Sequence, residues 1–284
     1  MTLEVLDLVS IGASPQNEDR AGHTGSFAWV LDGATDVVEH PLTTWPSDAA
    51  WLAATLDAEL RSATRQFRRP LADLPSHLAE CAASAFQIAA TRVPRHRGEH
   101  PSAAGLIVKS EAASLSYVSL GDCTLIAQTR TGIVRVGQDD DEAGDAWVRN
   151  ALVSLQKASP EAPQSAHRAA LWPQLRQARE RMNIVGGYAV FSITAPPSSL
   201  VVSGSIALDH EDMFLIASDG LMRLVDIFRR YTAAELITAA SERGLTALVD
   251  ELRQLEANDS ECLRYPRAKV SDDATGLLAR YVAD

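Results

Sequence analysis

Four times along this chain an apolar run of strand length stops at, or starts from, a carboxylate. Phe27-Ala-Trp-Val-Leu31 runs into Asp32-Gly33, Tyr117-Val-Ser-Leu120 into Gly121-Asp122, and Met213-Phe-Leu-Ile-Ala-Ser218 into Asp219-Gly220; Asp272-Asp273 immediately precedes the apolar stretch 274–279. An apolar strand lies in the core, so a residue at its end lies at a sheet rim. Where such strands are neighbours, their carboxylates meet on one edge. Carboxylates a few ångströms apart repel and partly protonate unless a cation joins them. Ligation by oxygen alone favours hard ions such as Mg2+ or Mn2+ over zinc. Glycine after aspartate lets the backbone come close, and its carbonyl can join the ligand set. Asp-Gly is also a common turn pair, so no single step decides the matter; the recurrence after strongly apolar runs carries the weight. Asn17-Glu18-Asp19 adds two acids after the first strand.

The surrounding pattern predicts strands at 2–12, 26–31, 104–109, 114–120 and 124–129, a short one ending near Val136, and further strands at 201–208, 213–218 and 274–282. Helices are expected at 47–69, where Trp51, Leu52, Leu56 and Leu60 fall near helical spacing, and at 74–92. Most of 146–182 reads as helical, broken around Pro160 and Pro163, and 232–256 as helical with a break at Gly244. Residues 138–145 read as an acidic loop. Alternating βα units are absent, which disfavours a doubly wound parallel sheet. The expected fold is α+β: a central antiparallel β-sandwich flanked by helices on both sides, in four layers.

The net charge of −11 offers no basic footprint for nucleic acid. No run approaches the ~18 apolar residues of a membrane span, and the acidic, alternating start is unlike a signal peptide. Cys81, Cys123 and Cys262 are an odd, widely spaced set, which fits neither a disulfide framework nor a Cys-rich zinc site. Cys81, in an Ala-rich stretch, reads as core, and a reducing cytoplasmic compartment is expected. Trp29, Trp45, Trp51, Trp147 and Trp172 read as core packing; His23, His96 and His100 lack ligand spacing. Walker, Rossmann, G-x-S-x-G and H-E-x-x-H patterns are missing.

In their order, Asn17-Glu18-Asp19, Asp32-Gly33, Gly121-Asp122-Cys123, Leu215-Ile-Ala-Ser-Asp219-Gly220 and Asp272-Asp273-Ala-Thr275 resemble the motifs of the type 2C metal-dependent serine/threonine protein phosphatases, bacterial members included. The resemblance runs from about Leu6 to Tyr281. It implies one catalytic domain over 1–284, with a helical insert at about 146–182 and a flap at about 181–197 carrying Gly186-Gly187. It also implies a binuclear Mn2+ or Mg2+ centre. Asp32 would bridge both ions, the Gly33 carbonyl would bind one, and Asp219 and Asp272 the other. Glu18 would bind a metal-held water or the metal itself, Asp19 would orient the nucleophilic water, and Asp122 would help hold a third ion. The implied partner is a phosphoprotein substrate, paired with a kinase, dephosphorylated by a metal-activated water.

The departures from that pattern are specific. Many members carry an arginine where Ser14 stands, gripping the substrate phosphate; Arg20 and Arg223 are the substitute candidates. Arg223 stands where an aspartate usually completes the third-ion site, and a cation there opposes a third metal. Ala34 follows Asp32-Gly33 where some members have a histidine, and His40 reads as structural or solvent-facing. Two other readings therefore stay open: a phosphatase of a non-protein phosphoester, and a catalytically weak regulatory or binding module that keeps the fold.

Overall fold

In the computed structural model, which describes residues 2–35, 37, 40–63, 67–137 and 145–282, the apolar runs are strands buried on both faces. The chain begins with β1 (Thr2–Ile11), β2 (Arg20–Thr24) and β3 (Phe27–Gly33), then passes through α1 (Asp48–Ala63) and α2 (Leu74–Ala89). Next come β4 (Ser102–Glu111), β5 (Ser114–Leu120), β6 (Thr124–Thr129) and β7 (Gly132–Val136), followed by α3 (Asp145–Ala158), α4 (Gln164–Ala170) and α5 (Trp172–Arg179). The remainder is β8 (Phe191–Ser192), β9 (Val202–Ala207), β10 (Met213–Ala217), α6 (Asp219–Asp226), α7 (Ala233–Arg243), α8 (Leu245–Ala257) and β11 (Ala274–Val282). Apart from its last residue, the acidic loop expected at 138–145 lies outside the described residues.

The strands form two antiparallel sheets, ordered β1-β11-β10-β6-β7 and β2-β3-β4-β5-β9, with β8 paired to β4. Side chains alternate across a strand, so each central strand feeds two cores. Ala28 and Val30 of β3 point between the sheets, with Phe214 and Ile216 of β10 and Leu277, Ala279 and Tyr281 of β11. Phe27, Trp29 and Leu31 point the other way, onto Trp51, Leu52, Leu56 and Leu60 of α1 and Leu74, Leu78 and Phe86 around α2. The opposite sheet does the same: Leu215, Ala217 and Leu278 pack on Leu221, Leu236, Leu248 and Leu252 of α6, α7 and α8. This double burial gives the four layers, helix–sheet–sheet–helix, expected from the sequence.

Local signals set the helix boundaries. Thr232 and Glu235 form a reciprocal capping box at the start of α7, and Gly244, at φ +81°, breaks α7 from α8. Three elements escape the sequence pattern: β2, which is short and polar; β8, of two residues; and α6, which starts at Asp219 directly after β10. Three side-chain expectations are corrected: Trp45 is 41% exposed, and Cys81 and Trp172 are only partly buried; the side chain of Trp147 lies outside the described residues. Among the described residues no helix is long and apolar enough to cross a membrane.

Candidate active site

Antiparallel pairing brings the acid-bearing ends together. Asp32, next to last in β3, pairs with Ala104 near the start of β4. Leu120, the last residue of β5, pairs with Gly105, so Gly121-Asp122 turns off beside it. Gly121 has φ +83°, and a Cβ there would lie 2.6 Å from that of Ala104, so the turn needs glycine. In the other sheet, Ala217 at the end of β10 pairs with Gly276 near the start of β11 and with Thr124 at the start of β6. Asp219 then opens α6, where the helix dipole favours a carboxylate. A Cβ on Gly220 would sit 1.8 Å from the Asp273 carbonyl oxygen, so this glycine lets the Asp219 turn press onto Asp272-Asp273.

The segment between β1 and β2 closes the rim. Asp273 accepts hydrogen bonds from the backbone N–H groups of Ala13 (2.8 Å) and Glu18 (2.7 Å), one on each oxygen. A Cβ on Gly33 would lie 2.5 Å from the Glu18 carbonyl oxygen, so Glu18 and Gly33 are in direct contact. Glu18 accepts from Thr35 Oγ1 (2.8 Å) and from Ser47 Oγ. The rim thus gathers Glu18, Asp19, Asp32, Gly33, Asp122, Asp219 and Asp272.

The electrostatics are uneven across this rim. Burial first, then Asp19, Asp219, Asp122 and Asp272, push the Asp32 carboxyl well above its usual range. Burial raises Asp19 to about 8, with Asp273 and Asp219 adding and the Thr275 and Ser218 hydroxyls opposing. Asp19 is 1% exposed, and its Oδ2 has no hydrogen-bond partner. Burial would raise Asp272 as well, but Lys269 and Arg223 overcome it and hold that carboxyl below the ordinary range. Lys269 Nζ lies 2.7 Å from Asp272 Oδ1 and donates to Thr35 Oγ1 at 3.0 Å. Arg223 donates to Asp272 Oδ2 at 2.9 Å and to Glu256 Oε1 at 3.0 Å. Lys269 stays fully charged despite its burial, because Asp272, Asp219 and Asp32 all favour the ammonium.

In donor chemistry, though not in spacing, one side of the rim suits a hard divalent cation. Asp19, Asp32, Asp219 and the Gly33 carbonyl offer oxygen alone, and an orphaned buried oxygen stands among them. On the other side both oxygens of Asp272 already face cations of the chain itself. Among the described residues, no three rim carboxylates bring one oxygen each within 4.8 Å of one another; the one trio of His, Cys, Asp or Glu that does is Glu59, His77 and Cys81, elsewhere in the fold.

Arg223 as a phosphate-gripping residue is corrected. It is 7% exposed and bound to Glu256 and Asp272, so it is a buried structural cation. Arg20 donates to the carbonyls of Asn17 (3.0 Å) and Asp19 (2.6 Å), which ties it to the turn that carries Glu18. Ser14, at the position of the expected arginine, is exposed, and so is His40. The sequence reading missed Lys269, Thr35, Ser47 and Arg179. Lys269 did carry a signal: it is one of three lysines among 26 basic residues, so a lysine three positions before Asp272 departs from the chain's own habit.

Helix α5 and the segment 181–197 border the same edge. Arg179 of α5 donates to the carbonyls of Ala34 (2.8 Å) and Thr35 (2.7 Å), and Arg176 to that of Val37 (3.1 Å), pinning the loop that leaves Asp32-Gly33. Asn183 cross-braces the segment that follows α5 through the carbonyls of Val190 (3.0 Å) and Thr194 (2.7 Å). The Tyr188 hydroxyl is raised by burial and lies within the field of Arg179 and Asp122.

No protein-family model matches the chain, and no curated protein matches its sequence. Solved structures do match. The Mycobacterium tuberculosis serine/threonine phosphatase PstP/Ppp is 14% identical with a TM-score of 0.57, covering 100% of both chains. The PstP catalytic domain in complex with two manganese ions is 15% identical, with a TM-score of 0.56 over 99% of this chain and 100% of that one. PppA, a regulatory component of type VI secretion in Pseudomonas aeruginosa, is 13% identical, with a TM-score of 0.51 over 98% of this chain and 100% of that one. The chain therefore has the fold of the bacterial serine/threonine phosphatases.

Proposed function

We propose that this chain is a divalent-metal-dependent phosphoester hydrolase, acting on phosphoserine or phosphothreonine in a protein substrate that a kinase modifies, in the cytoplasm, with 1–284 working as one catalytic domain. The observation that carries the reading is the meeting of Asp19, Asp32, Asp122, Asp219 and Asp272 on one rim of a phosphatase fold. Mn2+ or Mg2+ held there would lower the pKa of a bound water and offset charge on the phosphoryl oxygens. The chain's own residues do the rest. Asp32, Asp219 and the Gly33 carbonyl would hold the ion. Asp19 Oδ2, which lacks a protein donor, is the oxygen left to orient a water. Glu18, fixed by Thr35 and Ser47, sets the near wall. Arg179 ties down the loop that leaves Asp32-Gly33, and the flap carrying Tyr188 borders that edge.

The pairing of Asp272 with Lys269 and Arg223 gives this reading its particular form. Both oxygens of that carboxylate face cations of the chain itself, so fixed charge stands where the second ion of a binuclear centre would be ligated, and the rim would hold one divalent ion in place of two or three. A Lys ammonium is a compact point charge suited to phosphate, and Lys269, at the rim, takes over the charge that Ser14 does not provide. The same observation favours a second reading, a regulatory module with weak turnover, because a single ion activates water with less charge than a pair.

Manganese-dependent hydrolysis of p-nitrophenyl phosphate and of phosphopeptides separates the two readings. Turnover of both substrates supports the hydrolase, turnover of the small ester alone points to a non-protein phosphoester, and no turnover with Mn2+ bound leaves the regulatory module. The Mn2+ stoichiometry tests the role of Lys269. By elemental analysis and Mn2+ EPR after equilibrium dialysis, the natural chain should hold one ion at the rim, and Lys269→Ala should hold two that are magnetically coupled. Two coupled ions in the natural chain, or one in both, would remove Lys269 from this role.

A further inference from the structure

We propose that Glu59, His77 and Cys81 form a second metal site, distinct from the acidic rim, that takes a borderline-soft divalent ion of the zinc class and clips α1 to α2. His77 and Cys81 are four residues apart on α2, which stacks them one turn apart on a single face. Glu59, in the last third of α1, brings a carboxylate oxygen to them from the neighbouring helix. His77 Nε2 lies 3.6 Å from Glu59 Oε1 and 3.8 Å from Cys81 Sγ, and one ligand atom from each of the three falls within 4.8 Å of the others. With metal–ligand bonds of 2.0–2.3 Å, the edges of a tetrahedral coordination shell measure about 3.3–3.7 Å. The two helices therefore already hold nitrogen, oxygen and sulfur near the spacing that such an ion needs, without moving either backbone.

The donor chemistry separates this site from the rim. One thiolate, one imidazole and one carboxylate select zinc, cobalt or a similar ion, whereas the all-oxygen rim selects Mg2+ or Mn2+. Three protein ligands leave a fourth position. It opens toward a cavity of about 430 Å³ lined by Trp45, Trp51, Thr55, Glu59 and Cys81, where a water or an anionic ligand can complete the shell. Glu59 and His77 keep 32% and 31% of their side-chain surface, so an ion can enter from solvent. Burial, and then Glu59, push the Cys81 thiol up, so the thiol carries its proton until an ion binds and releases it to solvent. Phe67 packs against the imidazole with ring centroids 6.3 Å apart, which limits the orientations the His77 ring can take.

The test uses the reduced full chain and Co2+ as the probe. One equivalent of Co2+ should develop the strong visible absorption of a four-coordinate ion together with a sulfur-to-metal charge-transfer band, and Zn2+ should displace both. Cys81→Ser should abolish the sulfur band. Cys123 and Cys262 are fully buried at 0% exposure and cannot substitute. His77→Ala should raise Kd by more than about 100-fold, beyond the ~10–100-fold expected from losing an outer-shell partner, and Glu59→Gln should raise it while leaving the band in place. The rim donors named above are oxygen alone, and Cys123 beside them is fully buried, so an ion held there gives no such band and the outcome is independent of the phosphatase reading. Absence of the band in the natural chain, its survival in Cys81→Ser, or unchanged affinity in both His77→Ala and Glu59→Gln would overturn the site. Far-UV circular dichroism and melting of each variant in chelator separate a lost ligand from a lost fold.

Discussion

Arg223→Ala should lower the unfolding free energy by about 3–5 kcal/mol, the usual cost of removing one member of a buried ion pair. Arg223 is 7% exposed and spans two carboxylates, Glu256 at 1% exposure and Asp272 at the rim. Alanine leaves both without that partner and opens a side-chain-sized void beneath α6. Glu256 keeps Arg253 at 2.7 Å and Asp272 keeps Lys269 at 2.7 Å, which places the loss nearer the lower end of the range. Arg223→Lys should recover less than half, because one ammonium cannot reach both acids as the fork of a guanidinium does. Urea denaturation in chelator measures the difference. Its pH dependence has a definite sign. A carboxyl held below its ordinary value of 3.8 stabilises the fold above that pH and loses the contribution as pH falls through its folded value. The gap between natural and variant protein should therefore narrow in acid, below about pH 4. A loss under ~1 kcal/mol at neutral pH would mean that the pair behaves like a surface salt bridge and that the cations at Asp272 are incidental.

Much of this arrangement was legible in the sequence because burial writes itself into composition. Strands such as β3 and β10 are covered on both faces, so they appear as unbroken apolar runs, and the acids at their ends stand out. Gly244, Pro160 and Pro163 mark helix breaks by backbone restriction alone, and the structure breaks its helices there. The short polar strand β2 has no such signature, since its pairing comes from a neighbour rather than from its own residues. The meaning of Arg223 was hidden for a different reason. Its partners Glu256 and Asp272 are 33 and 49 residues away, so nothing local distinguishes a buried bridge from a surface charge. Lys269, by contrast, stands three residues from Asp272 and was readable as a rare lysine in an arginine-rich chain; only its pairing at the rim, which bears on the number of ions proposed, needed the fold. Asp273 likewise reads as one more acid of the rim, yet both its oxygens serve as a clamp on the backbone of Ala13 and Glu18.

Asp32→Asn is expected to reduce turnover by at least ~10²–10³-fold, the scale for losing one preorganised electrostatic contact at a reacting centre, while making the metal-free protein more stable. The two effects have one origin. Without a divalent ion, the Asp32 carboxyl is disfavoured by burial and by Asp19, Asp219, Asp122 and Asp272, so its charge is a burden on the fold. Asparagine keeps the shape and drops the charge. Asp19 shows the same burden, raised from 3.8 to about 8. A carboxyl shifted upward makes the folded state bind more protons than the unfolded one between those values, so stability falls as pH rises through that window. In chelator, the melting temperature of the natural chain should decline from about pH 4 to about pH 8, and Asp32→Asn should flatten the decline. A divalent ion reverses the order. At a concentration near 100 times its Kd, Mn2+ adds about 2.7 kcal/mol to the protein that binds it, and Asp32→Asn, lacking the charge, should gain far less. Calorimetric melts with and without Mn2+, alongside p-nitrophenyl phosphate turnover, read all three quantities on the same samples. An Asp32→Asn protein that keeps both its turnover and its stabilisation by Mn2+ would show that the converging carboxylates do not hold the working ion.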